Sequence, residues 1–132
     1  MSQEKPRRLA DAVPGTVPLL SVRGVSKRFR GLAAVTDVSF DVPHGAIHAL
    51  IGPNGAGKTT LFNIIAGALQ PDAGSILLDG VSLAGKRPDE ICKSGIARTF
   101  QIVRPFGGMT VEENVMVGAL ARTDDTGAAR RH

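Results

Sequence analysis

The sequence predicts an α/β fold in which a strand–loop–helix core is joined to an antiparallel β subdomain. Three observations carry this expectation. Residues 52–60, GPNGAGKTT, satisfy the eight-position pattern G-x-x-x-x-G-K-[ST] of a phosphate loop, with Gly52, Gly57, Lys58 and Thr59 at the fixed places. An apolar run at 46–51 precedes the loop, and Leu61, Ile64, Ile65, Ala68 and Leu69 follow it at i, i+3, i+4, i+7 and i+8, the stripe of an amphipathic helix. Residues 37–42 alternate strictly, with Val38, Phe40 and Val42 on one face and Asp37, Ser39 and Asp41 on the other, as in a half-exposed antiparallel strand.

The elements follow in order. Residues 1–18 carry Pro6, Pro14, Gly15 and Pro18 among mixed charges and read as a flexible leader. From Leu19 the pattern is strand-like, Leu20 and Val22 alternating with Ser21 and Arg23, and the strand at 37–42 comes next. The fully apolar run 46–51 reads as a buried strand feeding the phosphate loop, and the helix after the loop completes that unit. Residues 75–78 and 81–83 flank Asp79-Gly80, a two-residue hairpin signal. A short helix is expected from Pro88, with Asp89 and Glu90 in its first turn, Lys93 in its last and Gly95 as its stop. Residues 96–100 read as a brief strand leading into Gln101, and 105–108 as a loop. Thr110 and Glu113 form a capping box that opens a helix to about Ala121. The tail 122–132 has no periodicity and is expected to be disordered.

Composition bounds the rest. At 132 residues and 42% apolar content the chain can hold one ordinary domain, and with five Phe and no Trp or Tyr its core must be aliphatic. The net charge of +4 is dispersed: Lys5, Arg7 and Arg8 lie near one end and Arg130 and Arg131 at the other, so nucleic acid is not an expected partner. Cys92 is the single cysteine, which excludes an intrachain disulfide and fits a reducing compartment; it reads as a buried apolar residue on a helix. No apolar stretch approaches the ~18 residues needed to span a bilayer, so a cytoplasmic or peripheral protein is expected. His44, His48 and His132 have neither metal spacing nor a nucleophile partner, and Asp79 is explained by its turn. Asp72 reads as an exposed loop residue.

The phosphate loop has a definite chemistry. A polyphosphate must be stripped of water, and a short loop of backbone N–H groups at a helix N-terminus can do this, aided by the helix dipole. Glycines let the backbone curl without Cβ clashes. Gly52, Pro53, Asn54, Gly55, Ala56, Gly57, Lys58, Thr59 and Thr60 would thus bind the phosphates of a nucleotide, Lys58 reaching the β- and γ-groups and the Thr59 hydroxyl ligating Mg2+.

The chain resembles the N-terminal part of an ATP-binding-cassette (ABC) ATPase over about residues 19–120, a P-loop NTPase partial core with an antiparallel β subdomain. The resemblance rests on VSKRF at 25–29, VTDVSF at 35–40, GPNGAGKTTLFNIIAG at 52–67, PDAGSI at 71–76 and Gln101, in that order and spacing. Within the family, residues 96–119, IARTFQIVRPFGGMTVEENVMVGA, resemble ATPase subunits of branched-chain amino acid importers, with urea-type importers similar here. The resemblance implies that Phe29 stacks on adenine, where a π-face suffices; a core phenylalanine is the other reading. It implies that Gln101 approaches Mg2+ and the attacking water; a polar loop residue is the alternative. It also implies a permease partner, docking on the loop at Arg104, Pro105 and Phe106 and on the following helix. A second ATPase subunit would complete a dimer, peripheral on the inner face of the membrane.

The chain departs from the family after residue 121: a signature loop, an apolar strand ending in Asp-Glu and a switch histidine do not follow. Asp124 and Asp125 cannot stand in for that pair, because no apolar strand precedes them. Water attack on a phosphoryl group needs such groups. The expectation is a truncated ATPase subunit whose 132 residues alone do not hydrolyse ATP; a non-catalytic nucleotide-binding fragment or gene remnant is the competing reading. A cassette ATPase of DNA repair or translation is disfavoured by the importer-like run 96–119. Ala46 stands where the family commonly has an acidic residue, with no evident consequence.

Overall fold

A computed structural model describes residues 17–120. The leader and tail expected at the ends lie almost wholly outside these residues. The chain divides into two compact units, Met1–Lys86 and Arg87–His132.

The first unit is a four-stranded sheet with one helix. Strands β1 (Leu20–Phe29), β2 (Leu32–Val42), β3 (Ala73–Leu78) and β4 (Val81–Ser82) are ordered β2-β1-β3-β4, each neighbouring pair antiparallel. Strand β1 is central, with Val22 opposite Phe40 on one side and Ile76 on the other. Two tight hairpins shape it. Arg30 (φ 46) and Gly31 (φ 86) join β1 to β2, and Asp79 (φ 47) and Gly80 (φ 77) join β3 to β4. Positive φ at both turn residues marks the twist-compatible hairpin type. The second hairpin was legible from Asp-Gly; the first, built on Arg-Gly, was not.

The register of β1 on β2 slips between Val22 and Val25, around Gly24 at φ 57. Three residues apart, the two valines would face opposite sides of a regular strand; the bulge resets the alternation and both are fully buried. Val35, Leu61, Ile64, Ile76 and Leu83 complete this aliphatic core. Arg23 on β1 donates to Asp41 on β2 at 2.7 Å, and Ser21 Oγ donates to the same carboxylate at 2.8 Å. Asp41 lies directly opposite Ser21, and these two bonded neighbours leave it half-buried. His44 bridges to Asp79 at 2.7 Å and His48 stacks on Phe40, both structural roles.

Helix α1 (Lys58–Ile65) is shorter than its apolar stripe. Gly67, at φ 77, donates to the Ile64 carbonyl, and Ala68 donates to the Asn63 carbonyl. This paired closure ends the helix at the glycine, so Ala68 and Leu69 fall outside it. The apolar run 46–51 is not a strand: it joins no ladder, and Ile47 is 102% and Ile51 90% exposed. A strand forms only where its backbone is paired, and among the described residues no strand pairs with this run.

The second unit holds helices α2 (Pro88–Lys93) and α3 (Val111–Leu120). Helix α2 begins at proline and ends before Gly95 (φ 113), as the sequence implies, with Arg87 N donating to Glu90 Oε2 at 2.7 Å. Ile91 is its buried residue; Cys92 is exposed, correcting the expectation of a buried thiol, because a six-residue helix with one covered position leaves its neighbours in solvent. Residues 96–100 form no strand: among the described residues no ladder includes them, and Ile96 N donates back to the Ile91 carbonyl at 3.3 Å. Ahead of α3 the capping box is made: Glu113 N donates to Thr110 Oγ1 at 3.2 Å, and Thr110 N donates to Glu113 Oε2 at 2.7 Å.

Candidate functional site

The phosphate loop leads into α1 through Gly57, which adopts φ 86 at the helix N-cap. A Cβ there would run into the carbonyl oxygen of Ala34 and lie 3.2 Å from Val35 Cγ2, both on β2. Glycine is thus imposed twice, by the left-handed backbone and by the strand against which the loop is pressed. Gly55 is also left-handed (φ 83) but faces open space, so only its conformation requires glycine. Within the loop Ala56 N donates to Pro53 O at 3.2 Å, which closes the curl.

Lys58 bends back over this curl. Its Nζ donates to the Gly52 carbonyl and to the Pro53 carbonyl, the latter at 2.7 Å. The ammonium is therefore centred on the loop by two neutral acceptors, which an anion can replace with stronger charge-assisted bonds. No side chain caps α1, and no acidic residue lies in its first turn, so its positive end is left to the loop. Asn54 and Thr59 are exposed and Thr60 is half-buried.

Phe29 is the last residue of β1, 44% exposed, which removes the reading of it as a core residue. Lys27, two residues earlier, pairs with Val35, the residue that touches Gly57. Phe29 therefore stands on the same hairpin as the loop's backstop, about 7 Å further along the strand at 3.3 Å per residue. Lys27 Nζ lies 5.8 Å from the ring centroid.

Asp72 is the residue that sequence reasoning passed over. Its N–H donates to Ser26 O at 2.9 Å; its Oδ1 accepts from Lys27 Nζ and its Oδ2 from Arg28 N, at 2.7 and 2.8 Å. These bonds hold its carboxyl below the usual carboxylate range, the Lys27 ammonium contributing most and the Arg28 amide next. Forty-four residues separate Asp72 from Arg28, so no local pattern announces the contact.

Gln101 belongs to the second unit, in an exposed bend, and every residue from 99 to 112 is exposed. Phe100, Ile102, Val103 and Phe106 stand between 56% and 80% exposed along this stretch. The structure thus joins Phe29 and residues 52–60 within one unit, while Gln101 lies in the other. Asn114, another residue the sequence did not single out, fastens the stretch to α3: its Oδ1 accepts from Phe106 N at 2.8 Å, and its Nδ2 donates to Thr110 O at 2.9 Å and Phe106 O at 3.2 Å.

The same order of elements recurs in known proteins. The chain is 50% identical over 100 residues to the high-affinity branched-chain amino acid transport ATP-binding protein LivG of Escherichia coli K12, and 47% identical to BraF of Pseudomonas aeruginosa. Both alignments cover 76% of this chain and 39% of the relative, so the chain spans about two fifths of the length of these relatives. Among solved structures, an ATP-binding cassette of an ABC transporter in its ADP conformation superposes with a TM-score of 0.72 at 35% identity, covering 86% of this chain and 45% of that one. The profile of the ABC transporter family matches residues 35–132, three quarters of the sequence and all of the phosphate loop. The chain belongs to the ABC transporter family of P-loop ATPases.

Proposed function

We propose that the chain is the nucleotide-binding portion of an importer ATPase, which takes Mg2+-ATP on residues 52–60 and serves branched-chain amino acid import. The observation that carries this is the loop itself: Gly57 pressed on β2, and Lys58 Nζ centred over the curl by two replaceable carbonyls. Lys58 binds the β- and γ-phosphates, the α1 N–H groups and Gly55 backbone receive the rest, and Phe29 stacks on the adenine. Thr59 would hold Mg2+, which would supply charge neutralisation of the phosphates, and Gln101 is assigned to the same ion by its motif position alone. These assignments are supported by the fixed motif positions and by the exposure of Phe29. The solute class is supported by LivG and BraF, whose names state branched-chain amino acid transport.

The exposed apolar run from Phe100 to Val111 is the face offered to a permease subunit, since a patch of this kind on a small unit marks an interaction site. A second ATPase subunit closes the dimer. No helix among the described residues is long and apolar enough to cross a membrane, and the proposed place is peripheral, on the cytoplasmic face. Hydrolysis needs groups that orient water and complete the magnesium shell, and these 132 residues alone bind ATP without turning it over. Calorimetry of Mg2+-ATP binding, with phosphate release followed in parallel, tests the reading. Lys58→Ala is expected to weaken binding about ten- to a hundredfold, the range of a hydrogen bond to a charged group. Equal affinity in the variant would remove the phosphate-loop assignment, and sustained release abolished by Lys58→Ala would show that the chain is catalytically complete.

A further inference from the structure

We infer that Asp72 is a positioning residue for the adenine platform, holding the end of β1 so that one face of the Phe29 ring is backed and the other is presented to the base. This deepens the reading of residues 52–60 and Phe29 as an ATP site and rests on it.

Phe29 is followed by a two-residue turn and pairs only with Leu32 across it, so its ring is placed at the very end of the hairpin. Strand β1 is irregular there: the pairing to β2 shifts between Lys27 and Arg28. On its other edge β3 stops pairing at Ser26, opposite Ala73. The amide of Arg28 thus emerges beyond the last β3 pair, and the Asp72 carboxylate takes the place of the absent strand, Oδ2 accepting that amide at 2.8 Å. A backbone N–H to Ser26 O at 2.9 Å fixes Asp72 itself. Asp72 therefore grips β1 on both sides of Lys27.

The second grip acts on the ring. Asp72 Oδ1 takes Lys27 Nζ at 2.7 Å, and the same ammonium stands 5.8 Å from the Phe29 centroid. The Lys27 side chain is only 17% exposed, so it is a settled neighbour of the ring rather than a solvated arm. Beyond Phe29, Arg28 Nη2 donates to Gly31 O at 3.0 Å and pins the turn. The carboxylate, the ammonium and the ring form one chain of contacts that ends at an aromatic face. Stacking is paid in ordering as well as contact, and a platform already held loses less on binding.

The test separates the base from the phosphates. Calorimetry with the whole chain would use Mg2+-ATP and Mg2+-tripolyphosphate, the second a ligand with no base to stack. Phe29→Ala is expected to weaken ATP on the order of tenfold, the size of one base–aromatic stack, and to leave tripolyphosphate unchanged. Asp72→Ala is expected to weaken ATP about threefold to fivefold and tripolyphosphate by less than twofold, within the range of a partly lost aromatic contact. In Phe29→Ala, adding Asp72→Ala should cost nothing further for ATP. Asp72→Asn keeps an acceptor for Arg28 but not the charge for Lys27, and should fall between. Equal loss of both ligands in Asp72→Ala would make its role merely structural and overturn the inference, as would unchanged ATP affinity. If Phe29→Ala leaves the ratio of the two ligands unchanged, the stacking assignment fails first, and the inference with it. If Lys58→Ala alone spares both ligands, the phosphate-loop reading has failed instead.

Discussion

Gly57 shows how one atom can decide the loop. Its φ of 86 and the carbonyl of Ala34 both exclude a side chain, and that carbonyl belongs to backbone that cannot swing away. Gly57→Ala is expected to destabilise the chain by about 2–3 kcal/mol, combining left-handed strain with displacement of β2, read as a lower urea midpoint. Gly55→Ala carries the backbone strain alone, about 1 kcal/mol, since nothing lies within 4 Å of its Cβ position. The motif fixes Gly57 in the sequence and leaves Gly55 at a variable position, and only the structure separates the steric demand at the first from the conformational one at the second. Asp41 is the second residue with a measurable signature. The Arg23 guanidinium that donates to it holds its carboxyl below the usual range, partial burial opposes this, and the Ser21 hydroxyl adds to the lowering. A depressed folded-state pKa means that the unfolded chain binds the proton more tightly. The stabilisation is therefore full above the ordinary carboxylate value of about 3.9 and is lost as pH falls through the lowered one. Asp41→Asn should flatten the acid limb of a urea-midpoint profile between pH 5 and pH 2. The effect should stay within about 1 kcal/mol, because both side chains are partly solvated.

Elements whose instructions are local were readable, and those that need partners were not. The Asp79-Gly80 hairpin, the proline start of α2 and the Thr110–Glu113 box are each complete within a few residues. The runs 46–51 and 96–100 have strand composition, but among the described residues no strand pairs with either. The stripe of α1 overran because Gly67 closes the helix by its own backbone, an effect that apolar spacing does not encode. Helix α3 tests the local rule. Thr110→Ala should cost about 1 kcal/mol, the usual value of an N-cap, and fray the helix start without touching the loop before it. Asn114→Ala should do the reverse, since its side chain binds Phe106 on both backbone groups. The Phe106 amide should exchange with deuterium at least tenfold faster in Asn114→Ala and no faster in Thr110→Ala. Equal exchange in both variants would mean that the capping box and the asparagine act as one unit.

The first unit sets its phosphate loop against a four-stranded antiparallel sheet. Strand β2 supplies the one wall seen against Gly57, whereas the run leading into the loop exposes Ile47 and Ile51 almost fully. An apolar segment with β-branched residues and unpaired backbone is the composition of a strand buried on both faces. The chain spans 39% of the length of LivG, and the pairing partners of such a run would come from other strands of a larger sheet. A chimaera that continues this chain with the remaining residues of LivG should slow amide exchange at 47–51 by a hundredfold or more. Burying Ile47 and Ile51 alone contributes about 1.5–3 kcal/mol each, and paired amides open only with the sheet. The same chimaera should tighten Mg2+-ATP, because a fixed strand removes the freedom of the residue entering Gly52. Protection without tighter binding would mean that β2 and the Gly57 contact already set the loop by themselves. Exchange at 47–51 as fast in the chimaera as in the chain would show that this run is a linker, and that its apolar character serves a surface rather than a core.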